Sequence, residues 1–311
     1  MGHSMNRNQL KNYTLLAAMI GLAQGAPLAH ADDGAVPSMK PDMGKLLATG
    51  GVSTVEGAAG GGITPWALIA GYGTRDSYGA NVHDTYLSTQ DFSLNSYGVA
   101  AGIEDRVEIS VATQDFKADS GALSGLKVKQ NIFGVKVKLI GDAVYDQDTW
   151  LPQISVGAQY KRNQGLSGLL NVPVTALGAK KTSGTDYYIS ATKIYLDQSL
   201  LANVTIRATE ANQMGLLGFG GDLHDGYKAE FEGSLAYLLS KNWVIGAEYR
   251  EKPHNLAADN ERAYYDAFLA WFPNKNASVT LAYANLGSIV APVSANNDSQ
   301  KGIYLSLQAG F

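Results

Sequence analysis

The chain has 311 residues, with 35 glycines, 17 tyrosines and no cysteine, so disulfide scaffolds, thiolate metal sites and thiol catalysis are excluded. Its 24 basic and 28 acidic residues give a net charge of -4, without the clustered basic footprint of a nucleic-acid binder. Beyond the N-terminal region no linker or charge block interrupts the composition, which predicts a single main domain.

Residues 1–31 read as a short cloning remnant followed by an export signal. Arg7 and Lys11 supply a positive start, residues 15–23 an apolar run, and Ala29-His30-Ala31 a small-residue cleavage site. The apolar run is far short of the roughly 20 residues that a spanning helix needs, and nothing later is longer. Any membrane crossing must therefore be made by strands. Residues 32–63 form a Gly-rich segment. Its part 44–62 is too apolar for a free tail and is expected to tuck into a lumen or periplasmic mouth as a plug; a disordered lead-in is the alternative reading. It lacks the Gly-Lys-Ser/Thr ending of a phosphate loop.

From residue 64 to 311 about twelve segments alternate with period 2, the first predicted to begin at Trp66. Connections after every second segment are short: 104–105, 141–149, 197–199, 240–242 and 273–275. Those between them, 74–91, 117–126, 163–184, 211–226, 252–261 and 287–300, are longer. Turns sorted by end are the rhythm of a closed, antiparallel, up-and-down transmembrane β-barrel, all-β, with its large loops outside the cell.

Successive strand residues point to opposite faces. Phe133, Val135, Val137 and Leu139 oppose Lys136 and Lys138; Ala202, Val204 and Ile206 oppose Arg207; Trp243, Ile245 and Ala247 oppose Glu248 and Arg250. A basic residue on the lipid face at mid-bilayer costs about 2–4 kcal/mol. Charges are therefore assigned to the lumen: Glu108, Lys136, Lys138, Lys161, Lys193, Arg207, Glu230, Glu232, Glu248, Arg250 and Asp266. Asp115, Lys127, Lys129 and Glu251 break the rule near loop ends, where water is available. Counting back from the 240–242 turn puts Glu232 opposite Arg250, and counting across residues 117–126 can place Glu108 beside Lys136. A polar pore and a salt-bridged, closed interior are both compatible with such a wall.

Amphipathic rings favour the membrane interface. Trp66, Trp150, Trp243 and Trp271 are expected in a girdle at the short-turn end, and Tyr72, Tyr160, Tyr249 and Tyr283 in one near the long loops. The final ladder Ile303, Leu305, Leu307, Ala309 and Phe311 resembles the closing strand that outer-membrane assembly machinery recognises. Among the loops, Leu166, Leu169, Leu170, Val172, Val174, Leu177, Leu216, Leu217 and Phe219 are unexpectedly apolar and should pack, over the mouth or on one another.

KLLATGGVSTVEG (45–57), GGGITPW (60–66), GVKVK (134–138), GDAVYD (141–146), NQMGLLGFGG (212–221), WFPNK (271–275) and YLSLQAGF (304–311) resemble a bacterial outer-membrane barrel family catalogued only as a domain of unknown function. The resemblance covers nearly the whole mature chain and implies a barrel without an assigned activity. More distantly, GVAAGIEDRVEISV (98–111) is similar to a hairpin of uptake barrels of the phenol-degradation type, which implies passive transport.

The reading that follows is a bacterial outer-membrane channel for small solutes, apolar or aromatic ones among them. Its partners are membrane lipid, the assembly machinery and an unidentified solute. A non-conducting structural or ligand-binding barrel is the alternative. An enzyme is disfavoured: His83, His224 and His254 fall in expected loops without ligand spacing, no nucleophile elbow occurs, and no motif asks for a metal or cofactor.

Overall fold

The computed structural model describes residues 40–41, 44–290 and 299–311; the expected export signal lies outside the described residues. Twelve long strands form the wall: β1 (Ser77–Thr89), β2 (Phe92–Ile103), β3 (Val107–Ala118), β4 (Leu126–Ile140), β5 (Gln153–Gly168), β6 (Ser183–Tyr195), β7 (Leu200–Thr209), β8 (Lys228–Leu238), β9 (Trp243–Arg250), β10 (Tyr264–Asn274), β11 (Ala277–Asn285) and β12 (Lys301–Gly310). Each pairs antiparallel with its sequence neighbour, and β1 pairs with both β2 and β12. The cylinder is closed, so no strand edge is left without a partner.

Burial is inverted relative to a water-soluble protein. Outward side chains such as Val111 (49% exposed), Phe133 (48%) and Leu235 (61%) are open, whereas Arg207, Lys136 and Lys161 are among the largest fully buried side chains. Hydrocarbon outside and polar groups inside account for that sorting, since a closed barrel is one of two backbones that satisfy their own hydrogen bonds in lipid.

The connections at one end are 104–106, 141–152, 196–199, 239–242 and 275–276; those at the other are 90–91, 119–125, 169–182, 210–227, 251–263 and 286–300. The first hairpin of the short end turns on Glu104 (φ 53°) and Asp105 (φ 47°). Both central residues at positive φ match the twist of flanking strands. Non-glycine residues there are strained, and contacts offset the strain: Glu104 N–H donates to Ser77 O at 2.8 Å, while Asp105 takes Lys45 and Lys138, each at 2.7 Å.

The first strand differs from expectation. Residues 66–72 are not a wall strand, and most of the expected loop 74–91 is β1, joined to β2 by Gln90 and Asp91 alone. Trp66 to Ala70 is a short apolar run, which reads equally as strand or as buried irregular chain. Its place is inside. The wall thus begins at Ser77 rather than at residue 64, and residues 64–76 continue the Gly-rich segment.

Candidate functional site in the barrel interior

Residues 44–76 run through the lumen. A two-residue ribbon, Val52–Ser53 with Ala59–Gly60, gives the segment its only strand pairing apart from isolated bridges among the described residues. Gly57 (φ 91°) closes the ribbon's turn against Ala112, whose Cβ would lie 2.9 Å from any side chain placed there. Buried irregular backbone must find partners for every N–H and C=O, and here wall side chains supply them. Glu108 accepts from Ala59 N–H (3.1 Å) and Ala70 N–H (2.9 Å), while Lys136 donates to the carbonyls of Ala59 (2.9 Å) and Leu68 (2.8 Å). Glu248 accepts from Gly62 N–H (2.5 Å), Ile63 N–H (2.8 Å) and Thr64 Oγ1. Gln114 and Ser96 both donate to Val55 O, at 2.7 and 2.6 Å.

At mid-height the segment contributes a charge of its own. Glu56 accepts from Lys161 and from Arg250 Nη1 at 2.6 Å, with Arg207 Nη2 at 3.7 Å. Asp186 pairs with Lys161 (2.5 Å) and Arg207 (3.3 Å); Glu232 pairs with Arg207 and with Arg250 (3.4 Å). Three carboxylates therefore balance three cations, and one of the three belongs to the inserted segment. The register sets Glu232 opposite Arg250 and Glu108 opposite Lys136.

Below this layer, at the short-turn end, Trp66 packs with Leu201, Val244, Phe268 and Phe272, and its indole N–H donates to Ser234 Oγ at 2.9 Å. Above it, residues 212–221 re-enter from the long-loop end. Met214 O accepts from Gln130 (3.1 Å) and Lys161 (3.3 Å), and Leu216 O accepts from Asn163 (2.8 Å). Leu87, Phe92, Leu94, Phe116, Leu216 and Ile289 make an apolar layer there, with Phe92 and Phe116 stacked at 5.2 Å. The cavities in these two apolar layers are about 20 Å³ each. That is space for roughly one water, not a path for a solute.

Gln213 is the hub of the outer cap, and nothing in the sequence singled it out beyond its place in NQMGLLGFGG. Its side chain joins Asp259 (2.8 Å), Ser288 O (2.9 Å), Lys252 (2.7 Å) and Tyr264 (2.6 Å), and its N–H donates to Glu261 at 2.9 Å. Burial pushes the Glu261 carboxyl up to about 8, against the pull of Lys252, and pushes the Lys252 ammonium down to about 8. Between the ordinary value of 4.5 and about 8 the docked cap holds a proton on Glu261 that the undocked loop releases, so docking weakens as pH rises through that window. Lys252 acts oppositely between about 8 and 10.5, where the docked amine has already lost its proton. Protease cleavage within loop 251–263 should therefore be fastest near pH 8. Glu261→Gln should flatten the acid limb, and an unchanged profile in that variant would refute the assignment.

Glu108, Lys136, Lys161, Arg207, Glu232, Glu248, Arg250 and Asp266 all lie buried on the inward face. Glu230 shares their parity but is half-buried, toward the long-loop end of β8, and Lys138 sits at the short-turn rim between Asp105 and Asp142. Lys193 does not line the lumen. It pairs with outward-facing Ala202, and its ammonium is buried because the 141–152 connection folds against it, offering Asp146 O (2.5 Å) and Leu151 O (3.2 Å). Trp243 and Trp271 face outward, stacked at 5.8 Å, and Tyr160, Tyr249 and Tyr283 are outward too. Trp150, 83% exposed, projects from the 141–152 connection. Trp66 and Tyr72 are not interface residues: both are buried, 4% and 6% exposed, because their segment is inside.

His83 is in β1, not a loop, and faces the interior with neither ring nitrogen hydrogen-bonded. His224 and His254 remain in loops. Of the apolar residues expected in loops, Leu166 belongs to β5; it and Val174, Leu216, Leu217 and Phe219 are buried, Leu177 is partly buried, and Leu169, Leu170 and Val172 are exposed.

A closed twelve-stranded cylinder with an apolar exterior and a charged interior is an outer-membrane β-barrel. By sequence the chain belongs to the family described as "Protein of unknown function (DUF3034)", whose model matches residues 49–308. No curated protein matches it. Among solved structures it is similar to a KdgM porin (11% identity, 74% of this chain and 99% of that one, TM-score 0.46). It is also similar to the COG4313 outer membrane channel from Pseudomonas putida F1 (11%, 80% and 97%, TM-score 0.41). A third is outer membrane phospholipase A from Escherichia coli (9%, 78% and 94%, TM-score 0.39). Likeness at this level says nothing of activity.

Proposed function

We propose that the protein is a passive outer-membrane channel for small solutes, held shut by residues 44–76. One observation carries this reading. Between residues 52 and 70 the inserted backbone is hydrogen-bonded to its own segment and to wall side chains, with no bond to a wall backbone among the described residues, so it can leave without breaking any wall ladder. The wall left behind is lined by charges and amides that water can solvate. The apolar layer of Phe92, Leu94 and Phe116 at the long-loop end favours apolar or aromatic solutes. The outward ladder of β12, closing the cylinder against β1, is the surface we assign to the assembly machinery.

Planar-bilayer recording tests the channel. The intact protein should be silent or open rarely, and deletion of residues 44–76 should produce steady conductance. No openings from either form would remove the channel reading. The single-water cavities favour a second reading, a permanently filled structural barrel, which that negative result would support.

A further inference from the structure

The outward surface carries one polar patch. Around β7 to β11 its mid-strand outward residues are apolar, among them Ile206, Leu235, Ile245, Leu269 and Leu281. On β1 to β5 the outward face has apolar residues too, Val99, Val111 and Phe133 among them, but beside them it carries Asp84, Asn95, Asp115, Lys129, Asn131 and Arg162. These are neighbours in space. One row of the register runs Leu307, Asp84, Tyr97, Thr113, Asn131, Arg162, and the next runs Leu305, Tyr86, Asn95, Asp115, Lys129.

Asp84 is the informative member. It lies near the middle of β1 (Ser77–Thr89), well away from either loop end, with exposed Val82 on the same face. Asn95 hydrogen-bonds its side chain, yet Oδ1 is covered and has no partner. Arg162, at the upper end of the patch, is exposed. Lys129 is shared by the Tyr97 hydroxyl and by Asp115, the latter at 3.6 Å.

Acyl chains offer Asp84 nothing, and an unmet carboxylate in hydrocarbon is costly; Asp115 and Lys129 lie nearer the loop ends. A phosphate-bearing lipid surface would suit Lys129 and Arg162 but would be repelled by Asp84 and Asp115. A patch with both signs side by side is complementary to itself: a two-fold axis through it sets the cations of one copy against the carboxylates of the other. We propose that this wall is an isologous interface between two copies of the chain within the membrane. The inference does not depend on the channel reading, because the interface is outside the lumen.

The absence of cysteine in the chain makes the test clean. Single variants Tyr97→Cys, Thr113→Cys and Asn131→Cys, oxidised in isolated outer membranes, should include at least one that forms a disulfide-linked dimer. Leu235→Cys on the opposite wall should stay monomeric. Asp84→Val should abolish the dimer seen by native mass spectrometry of the full-length protein in detergent, while Asp84→Asn keeps it. The heat-modifiable gel mobility of a folded barrel shows that each variant has assembled. Absence of cross-linking at all three patch positions, equal cross-linking at Leu235→Cys, or a dimer indifferent to Asp84→Val would each overturn the proposal. So would a monomer that carries lipopolysaccharide and loses it in Arg162→Ala, which would assign the wall to lipid.

Discussion

Glu56→Ala should release residues 44–76 from the lumen. The Glu56 side chain is 1% exposed and is shared by Lys161, Arg250 and Arg207. Its removal leaves those three cations to divide Asp186 and Glu232 between them. Breaking a buried ion pair by deleting one partner costs about 3–5 kcal/mol, mostly the penalty of the charge left behind. Because the wall's own ladders are untouched, the loss falls on docking of the segment rather than on the cylinder. At about 1.4 kcal/mol per tenfold, the docked-to-undocked ratio should fall by about two to three and a half orders of magnitude. Limited proteolysis should then cut within residues 44–76 far faster than in the unaltered protein, with the barrel fragment intact. Glu56→Gln, which keeps shape and loses charge, should fall between the two. Equal protease resistance in all three proteins would show that the ionic layer does not hold the segment.

Gly61→Val should have a comparable effect by size rather than charge. A Cβ at Gly61 would collide with the Glu248 carboxylate. That carboxylate accepts from Gly62 N–H at 2.5 Å and Ile63 N–H at 2.8 Å, so its displacement unmakes two bonds to the segment. Overpacking costs about 1–3 kcal/mol, and a hydrogen bond to a charged group about 1.5–3 kcal/mol. Thermal unfolding should begin at lower temperature, preceded by exposure of residues 44–76 to protease. Gly226→Ala is the matched control: its Cβ would meet only His224 Nε2, at 3.6 Å in ordinary contact. If Gly61→Val melts like that control, the close approach between the segment and β9 is not real.

How far the sequence carried depends on the distance over which each pattern acts. In β7, in β9 and in β4 from Phe133 onward the outward row is apolar, and parity alone sorts Phe133 from Lys136 and Ile245 from Glu248. Glu232 could be counted onto Arg250 because the 239–242 connection is short and leaves little room for slippage. Assigning charge to the lumen failed where a neighbouring segment covers a residue: Lys193 faces outward but is buried by the connection 141–152. Period failed at β1, whose outward row includes Asp84 and Ser88 and so lacks the apolar stripe that marks a membrane strand. It failed again at Trp66, where four consecutive apolar residues follow without a face.

By itself the amino-acid order determined that strands cross a membrane, which faces most of them turn to lipid, and that charge of both signs gathers inside. Those are local properties, written every second residue because the strand repeat is two. Only the tertiary structure decided that the interior is full. Glu56 draws its partners from β5, β7 and β9, while the backbone around it is held from β2, β3, β4 and β9. An irregular buried chain must have its polar groups met from wherever the closed wall brings donors and acceptors, and no short stretch of sequence records which distant strands those will be.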